Sequence, residues 1–181
     1  MKALFTTRSG GVSAVPWDSL NLGDHVGDDI TCVNANRALL QQACGAHAVF
    51  LKQVHGVDVL TLDAATPQGS QADACVTTHS GIACTIMVAD CLPVLFATQD
   101  GTAVAAAHAG WRGLAGDAAS GHQGVLESVF AALTAATAVA SASKVMAWLG
   151  PCIGPSAFEV GAEVKRAFEA GQPGAGRFFV P

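Results

Sequence analysis

Tyrosine is absent from this sequence of 181 residues, and aromatic residues of any kind make up only 6% of it. Hydrophobic residues nevertheless reach 51%, carried largely by alanine and valine, so the expected interior is one of small, closely packed side chains. No cluster of lysine or arginine occurs, and the formal net charge is -5. That balance excludes the basic face on which nucleic-acid binding usually rests. No uninterrupted apolar run reaches the roughly 20 residues a membrane-spanning helix needs. The best candidate, Val125 to Leu149, is broken by Glu127, by several serines and threonines, and by Lys144. The first residues, MKALFTTRSGG, reach Arg8 before an apolar signal core can form, so no secretory leader is expected and the cytoplasm is the expected compartment. The six cysteines contain no CxxC pair, which removes zinc-ribbon and thioredoxin-type readings. Without export they are expected to be thiols or metal ligands rather than disulfides. No HxH pair occurs among the six histidines, so a multicopper cluster is not encoded in this stretch.

What is present is an alternation of strand and helix patterns. Residues 2–6 read as a short strand, followed by a glycine-rich loop from Ser9 to Gly23. A helix opened by Asp29 or Thr31 and stopped by Gly45 comes next, with Ile30, Val33, Leu40 and Cys44 near one face. AVFLKQV (48–54) and VDVLTL (57–62) read as two strands joined at His55–Gly56, and ACVTT, IACTIMV, PVLFAT and TAVAAAH as further strands between Ala74 and His108. A helix is expected from Gln123 to Ala136, a strand over 144–149, and an amphipathic helix over 162–170 stopped by Gly171. The pattern predicts a single α+β or mixed α/β domain over 1–181, with no repeat and no linker.

Three segments place a reactive side chain where a strand meets a turn: KQVHG with His55, VADCLP with Cys91, and AAHAGWRG with His108. Strand ends and loops are where a scaffold presents functional groups. Two imidazoles and one thiolate suit zinc and leave a fourth coordination position open, as catalytic zinc requires. The separations of 36 and 17 residues (91 − 55 and 108 − 91) carry little information by themselves. On spacing alone a cysteine in an apolar run is most often a small buried hydrophobe, and a Cys–His nucleophile pair without metal is as compatible as the metal site.

The blocks TTRSGGVS, SLNLGDHVGDD, KQVHG, ADCLPVLF, AHAGWRGL and GPCIG, in this order, resemble the YfiH-type laccase-domain family, whose members have been called polyphenol oxidases and purine nucleoside phosphorylases. The resemblance runs to about Phe168. It implies metal ligands at His55, Cys91 and His108, with zinc as the expected ion and copper the alternative. It implies a layered α-β-β-α-like sandwich similar to the catalytic domain of a Rho-deamidating toxin that works through a Cys–His pair.

The implied activity is phosphorolysis of adenosine, inosine, guanosine and methylthioadenosine, with adenosine deamination beside it. A copper-dependent phenol oxidase, a hydrolase editing a peptidoglycan precursor, and a non-enzymatic metal-binding module are the alternatives. Small molecules, a purine nucleoside and phosphate, are the expected partners. No membrane and no obligate protein partner are expected.

Cys91 and His108 are then the expected catalytic core. Asp90, adjacent to Cys91, is a candidate general acid or base or a ligand-orienting group. Arg112 and Arg8 are candidates for phosphate, because a guanidinium fork matches phosphate oxygens, although a salt bridge or a capped carbonyl would use either equally well. Gln53 is a candidate for a hydrogen bond beside the metal. Asn21 and Asp24 read as Asx-turn residues, and Cys32, Cys44, Cys75, Cys84 and Cys152 as packing. Members of the family extend some tens of residues past the position of Pro181, with Cys–Thr and Ser–Tyr–Arg–Arg segments that this sequence does not contain, so the resemblance implies a catalytic domain over 1–181 without the family's C-terminal segment. The link AGDAASGHQG (115–124) is longer here than the family's usual one.

Overall fold

The computed structural model describes residues 2–119, 121–137, 141 and 144–180; Ser120, in the long link, lies outside them. Five strands form the main sheet, in the order β2-β3-β6-β5-β7. They are β2 (Val59–Thr61), β3 (Ala74–Thr77), β5 (Leu92–Thr98), β6 (Val104–Ala109) and β7 (Val145–Leu149). β2 and β3 are parallel and the other neighbours antiparallel. A second, two-stranded parallel sheet pairs β1 (His47–Phe50) with β4 (Ile82–Thr85).

The alternation of side chains along a strand divides the core in two. Ala74, Val76, Val94, Ala105 and Ala107 point to one face of the main sheet. There α3 (Val125–Ala136) lays Val125, Val129 and Leu133 against them. From the other face Cys75 and Ala106 meet Val49, Leu51 and Leu62, with Ile82 and Cys84 of β4 packed alongside. Beyond β1 comes α1 (Ile30–Cys44). The order through the molecule is therefore helix, sheet, smaller sheet, helix. β6 is the innermost strand, and its alanines let both neighbouring layers approach closely.

α1 begins and ends as its sequence dictates. The Asp29 side chain accepts from the Thr31 N–H, and Gly45 closes the helix at φ 69°, a conformation that costs glycine little. Its face is narrower than expected: Val33 is buried, while Ile30 remains exposed.

Several expectations are corrected. Residues 2–6 form no strand; Phe5 instead sets its ring edge-on to Trp148, centroids 6.0 Å apart. The strand read over 48–54 stops at Phe50, and its partner is β4 rather than the following strand. The chain leaves the small sheet after Phe50, and the turn at 54–56 is held to the carboxylate of Asp73. The HAGWRG turn contains a short helix, α2 (Trp111–Ala115). α4 (Ala162–Gly171) includes the glycine expected to stop it and is capped at Gln172. A 3-10 turn follows at Ala175–Phe178.

Candidate metal centre

β5 and β6 run antiparallel with Pro93 opposite His108. Cys91, which immediately precedes β5, is thereby carried to the end of β6 where His108 stands. His55 arrives from the loop between β1 and β2. The Nε2 or Nδ1 atoms of the two histidines and the Cys91 Sγ all lie within 4.8 Å of one another, the one group of three such donors among the described residues. His55 Nε2 is 3.8 Å from Cys91 Sγ. In a tetrahedral site with ordinary Zn–N and Zn–S bonds the two atoms would stand about 3.6 Å apart, so the donors fit one ion of that size. The two imidazole rings meet edge to face at 4.7 Å between centroids and 73°. His55 is exposed, Cys91 half-buried and His108 buried.

Beneath them lies Asp73, the residue preceding β3, wholly buried. Its Oδ1 accepts from the His55 N–H at 2.8 Å and is 2.8 Å from His108 Nδ1. Its Oδ2 accepts from the N–H groups of Val54 and Gly56 at 3.0 and 2.7 Å. These contacts hold His55 at φ 62°, a left-handed conformation that costs a residue other than glycine about 1–3 kcal/mol. Nothing in QADACVTT singled out Asp73. The pairing of β3 with β6 brings it to His108, and a carboxylate just before the apolar run Ala74–Val76 was the only hint available.

Burial raises the Cys91 thiol pKa, and the negative charges of Asp90 and Asp73 and the neighbouring Cys152 raise it further. A thiol in these surroundings holds its proton more tightly than a free one. Burial lowers the pKa of His55, with the charges of His108 and Arg112 acting the same way against the pull of Asp73. A neutral imidazole with a free lone pair is the form a metal takes. Burial opposes ionisation of Asp73, but the hydrogen bonds from His108, Gly56, Val54 and His55 outweigh it and hold its pKa below the usual value.

The donors open into a cleft of about 1450 Å³, whose lining includes His55, Cys91, His108, Asp90, Gln53 and Arg8. Gln53 is a strut: its amide donates to the Met87 carbonyl at 2.8 Å and accepts from the Met87 N–H at 2.9 Å. Arg8 is exposed and reaches Asp18, through the carbonyl at 2.7 Å and the carboxylate at 3.1 Å. Arg112, on α2, is not among the residues that line the cleft; its guanidinium stacks over the Trp111 ring at 4.4 Å. Asn21 makes the expected turn, accepting from Gly23 N–H at 3.0 Å, and Asp24 pairs with Arg37 at 3.2 Å. All six cysteines are free, and Cys152 is exposed rather than packed. No helix among the described residues is long and apolar enough to cross a membrane.

The model of a family described as multi-copper polyphenol oxidoreductase laccase matches residues 2–181. A purine nucleoside phosphorylase of Pseudomonas aeruginosa is 49% identical over 181 residues, all of this chain and 69% of that protein. Purine nucleoside phosphorylase YfiH of Escherichia coli is 47% identical, over 98% of this chain and 69% of its own length. Among solved structures, a Neisseria meningitidis protein superposes with a TM-score of 0.83 at 46% identity, covering 93% of this chain. The hypothetical protein YfiH of Bacillus licheniformis superposes at 0.80 and 25% identity, over 98% of this chain. The chain spans 64% of the Neisseria protein and 68% of the Bacillus one.

Proposed function

This chain belongs to the multi-copper polyphenol oxidoreductase laccase family, and from that premise we propose that it is the metal-bearing part of a zinc-dependent purine nucleoside phosphorylase. The observation that carries the reading is the convergence of His55, Cys91 and His108 at the wall of a broad cleft with room for a small-molecule substrate. The names of the relatives at 49% and 47% identity support it. Adenosine, inosine, guanosine and methylthioadenosine are the proposed substrates, with adenosine deamination a further proposed activity. The same reading takes the helix–sheet–sheet–helix order to be the layering of the Rho-deamidating toxin's catalytic domain, and the whole of 1–181 to be one catalytic unit working in the cytoplasm.

In phosphorolysis a phosphate oxygen bonds to C1′ of the ribose, the C–N bond to the base breaks, and the purine departs with a proton. His55, Cys91 and His108 would hold the ion, which when bound supplies a fixed positive charge beside the reacting groups. Zinc is preferred to copper because no electron changes hands in this reaction. Arg8, on the cleft wall, offers a guanidinium fork to phosphate; Arg112, stacked on Trp111, would need to swing from that ring to do so. We assign to Asp90, next to Cys91 on the same wall, the relay of the proton that hydrogenphosphate gives up to the leaving base. Gln53 keeps the 53 and 87 loops together beneath the substrate.

The test is phosphate-dependent release of adenine and hypoxanthine from adenosine and inosine by protein of measured metal content. Turnover is expected to require phosphate and to vanish in Cys91→Ala. Zinc-loaded protein that releases no base would overturn the proposal. The family's description and the two-His, one-Cys donor set, which also suits a single copper ion, favour a phenol oxidase as the second reading. Phenol turnover that follows copper content, with no phosphorolysis, would establish it.

A further inference from the structure

Resting on the metal reading of the His55–Cys91–His108 group, we propose that Asp73 is the positioning residue for both imidazoles, locking one through its ring and the other through its peptide. Four donors converge on this buried carboxylate: the His108 ring nitrogen Nδ1 and the N–H groups of Val54, His55 and Gly56. A carboxylate so surrounded has acceptors only, so Nδ1 of His108 carries the ring proton and Nε2 keeps its lone pair for the ion. The backbone of His108 is fixed as well, since its N–H donates to the Asp73 carbonyl at 2.7 Å.

His55 is controlled differently. Its ring makes no hydrogen bond with Asp73; instead three consecutive amides, 54 to 56, fold around the carboxylate and hold the left-handed turn from which the ring projects toward Cys91. One oxygen, Oδ1, receives both the His55 amide and the His108 ring. A shift of Asp73 therefore moves two of the three donors together. Cys91, held at the start of β5, is outside its reach in hydrogen-bonding terms.

Two measurements decide this without any substrate. In the wild-type protein, nitrogen-15 NMR of the histidine rings is expected to show a proton on His108 Nδ1, hydrogen-bonded to Asp73. A His108 ring without a proton on Nδ1 would overturn the proposal, and this reading needs no variant that might misfold. In Asp73→Asn the side-chain amide can donate toward Nδ1, so the tautomer is expected to move toward Nε2–H. Zinc affinity by chelator competition should fall about 10- to 100-fold, and the visible spectrum of the cobalt-loaded protein should change. Unchanged zinc affinity and an unchanged tautomer in a folded Asp73→Asn would also overturn it. Wild-type protein that binds no zinc would instead defeat the metal reading, while the ring tautomer would still decide what Asp73 does to His108.

Discussion

Gly110 has no room for a side chain. A Cβ there would stand 2.7 Å from His55 Cδ2 and 3.2 Å from Cys91 Sγ, so Gly110→Ala must push donors apart. Since displacements on the scale of an ångström disable constructed sites, zinc affinity is expected to drop at least about tenfold, with far-ultraviolet circular dichroism unchanged. The thiol predicts a pH dependence. Cys91 is protonated in the metal-free protein at neutral pH and must release that proton to bind an ion, whereas His55, its pKa lowered, is already neutral. Apparent zinc affinity should therefore rise about tenfold per pH unit between about pH 7 and 8, measured by chelator competition. A flat profile would mean that the thiol is not a ligand. Asp73 predicts the opposite end of the scale. Its folded pKa is lowered, so its contribution to stability is complete above the unfolded value near about 4. That contribution is lost as pH falls through the folded value, and Asp73→Asn should flatten this acid limb in urea melts.

At the scale of elements, the helix α1 does more than cover β1. Asn36, on its buried face, accepts from the Val12 N–H at 2.9 Å and donates to Ser13 Oγ and to the carbonyls of Ser19 and Asn21. It thus organises the glycine-rich loop that delivers Arg8 to the cleft. Asn36→Ala strands several of these groups and is expected to cost at least about 2 kcal/mol in urea unfolding. On the opposite face, Leu133→Ala should cost about 2–5 kcal/mol, since Leu133 is fully buried between α3 and the sheet. The helical repeat of Leu126, Val129, Phe130 and Leu133 made α3 visible in the sequence, and Asp29 and Gly45 did the same for α1. α2 was hidden because five residues show no period. The parallel partnership of β1 with β4 was hidden because no local signal tells residues 47–50 that their neighbour is 82–85.

Across the whole molecule, the donor residues could be named from the sequence, but the reason they converge could not. His55, Cys91 and His108 sit in recognisable blocks; Asp73 sits in an ordinary one, and only the β3–β6 register gives it meaning. The layered order follows from small residues on β6 that are buried on both faces, which the alanine content foreshadowed without fixing the topology. Because the donors come from three separate segments, an ion bound there stabilises the folded state by mass action. A hundredfold excess of zinc over its dissociation constant is worth about 2.7 kcal/mol, or a rise of about 5–10 °C in Tm for a chain of this size. Differential scanning fluorimetry should record it and a chelator should reverse it.

The amides of residues 54–56 form an odd combination: Val54 and His55 are exposed side chains, yet their N–H groups end on a wholly buried carboxylate. Surface turns ordinarily trade their amide hydrogens with solvent quickly. Here the turn should hold its amide hydrogens against deuterium exchange far longer than neighbouring loops, giving a clock for the opening of the centre that runs without any ligand, spectrum or reaction.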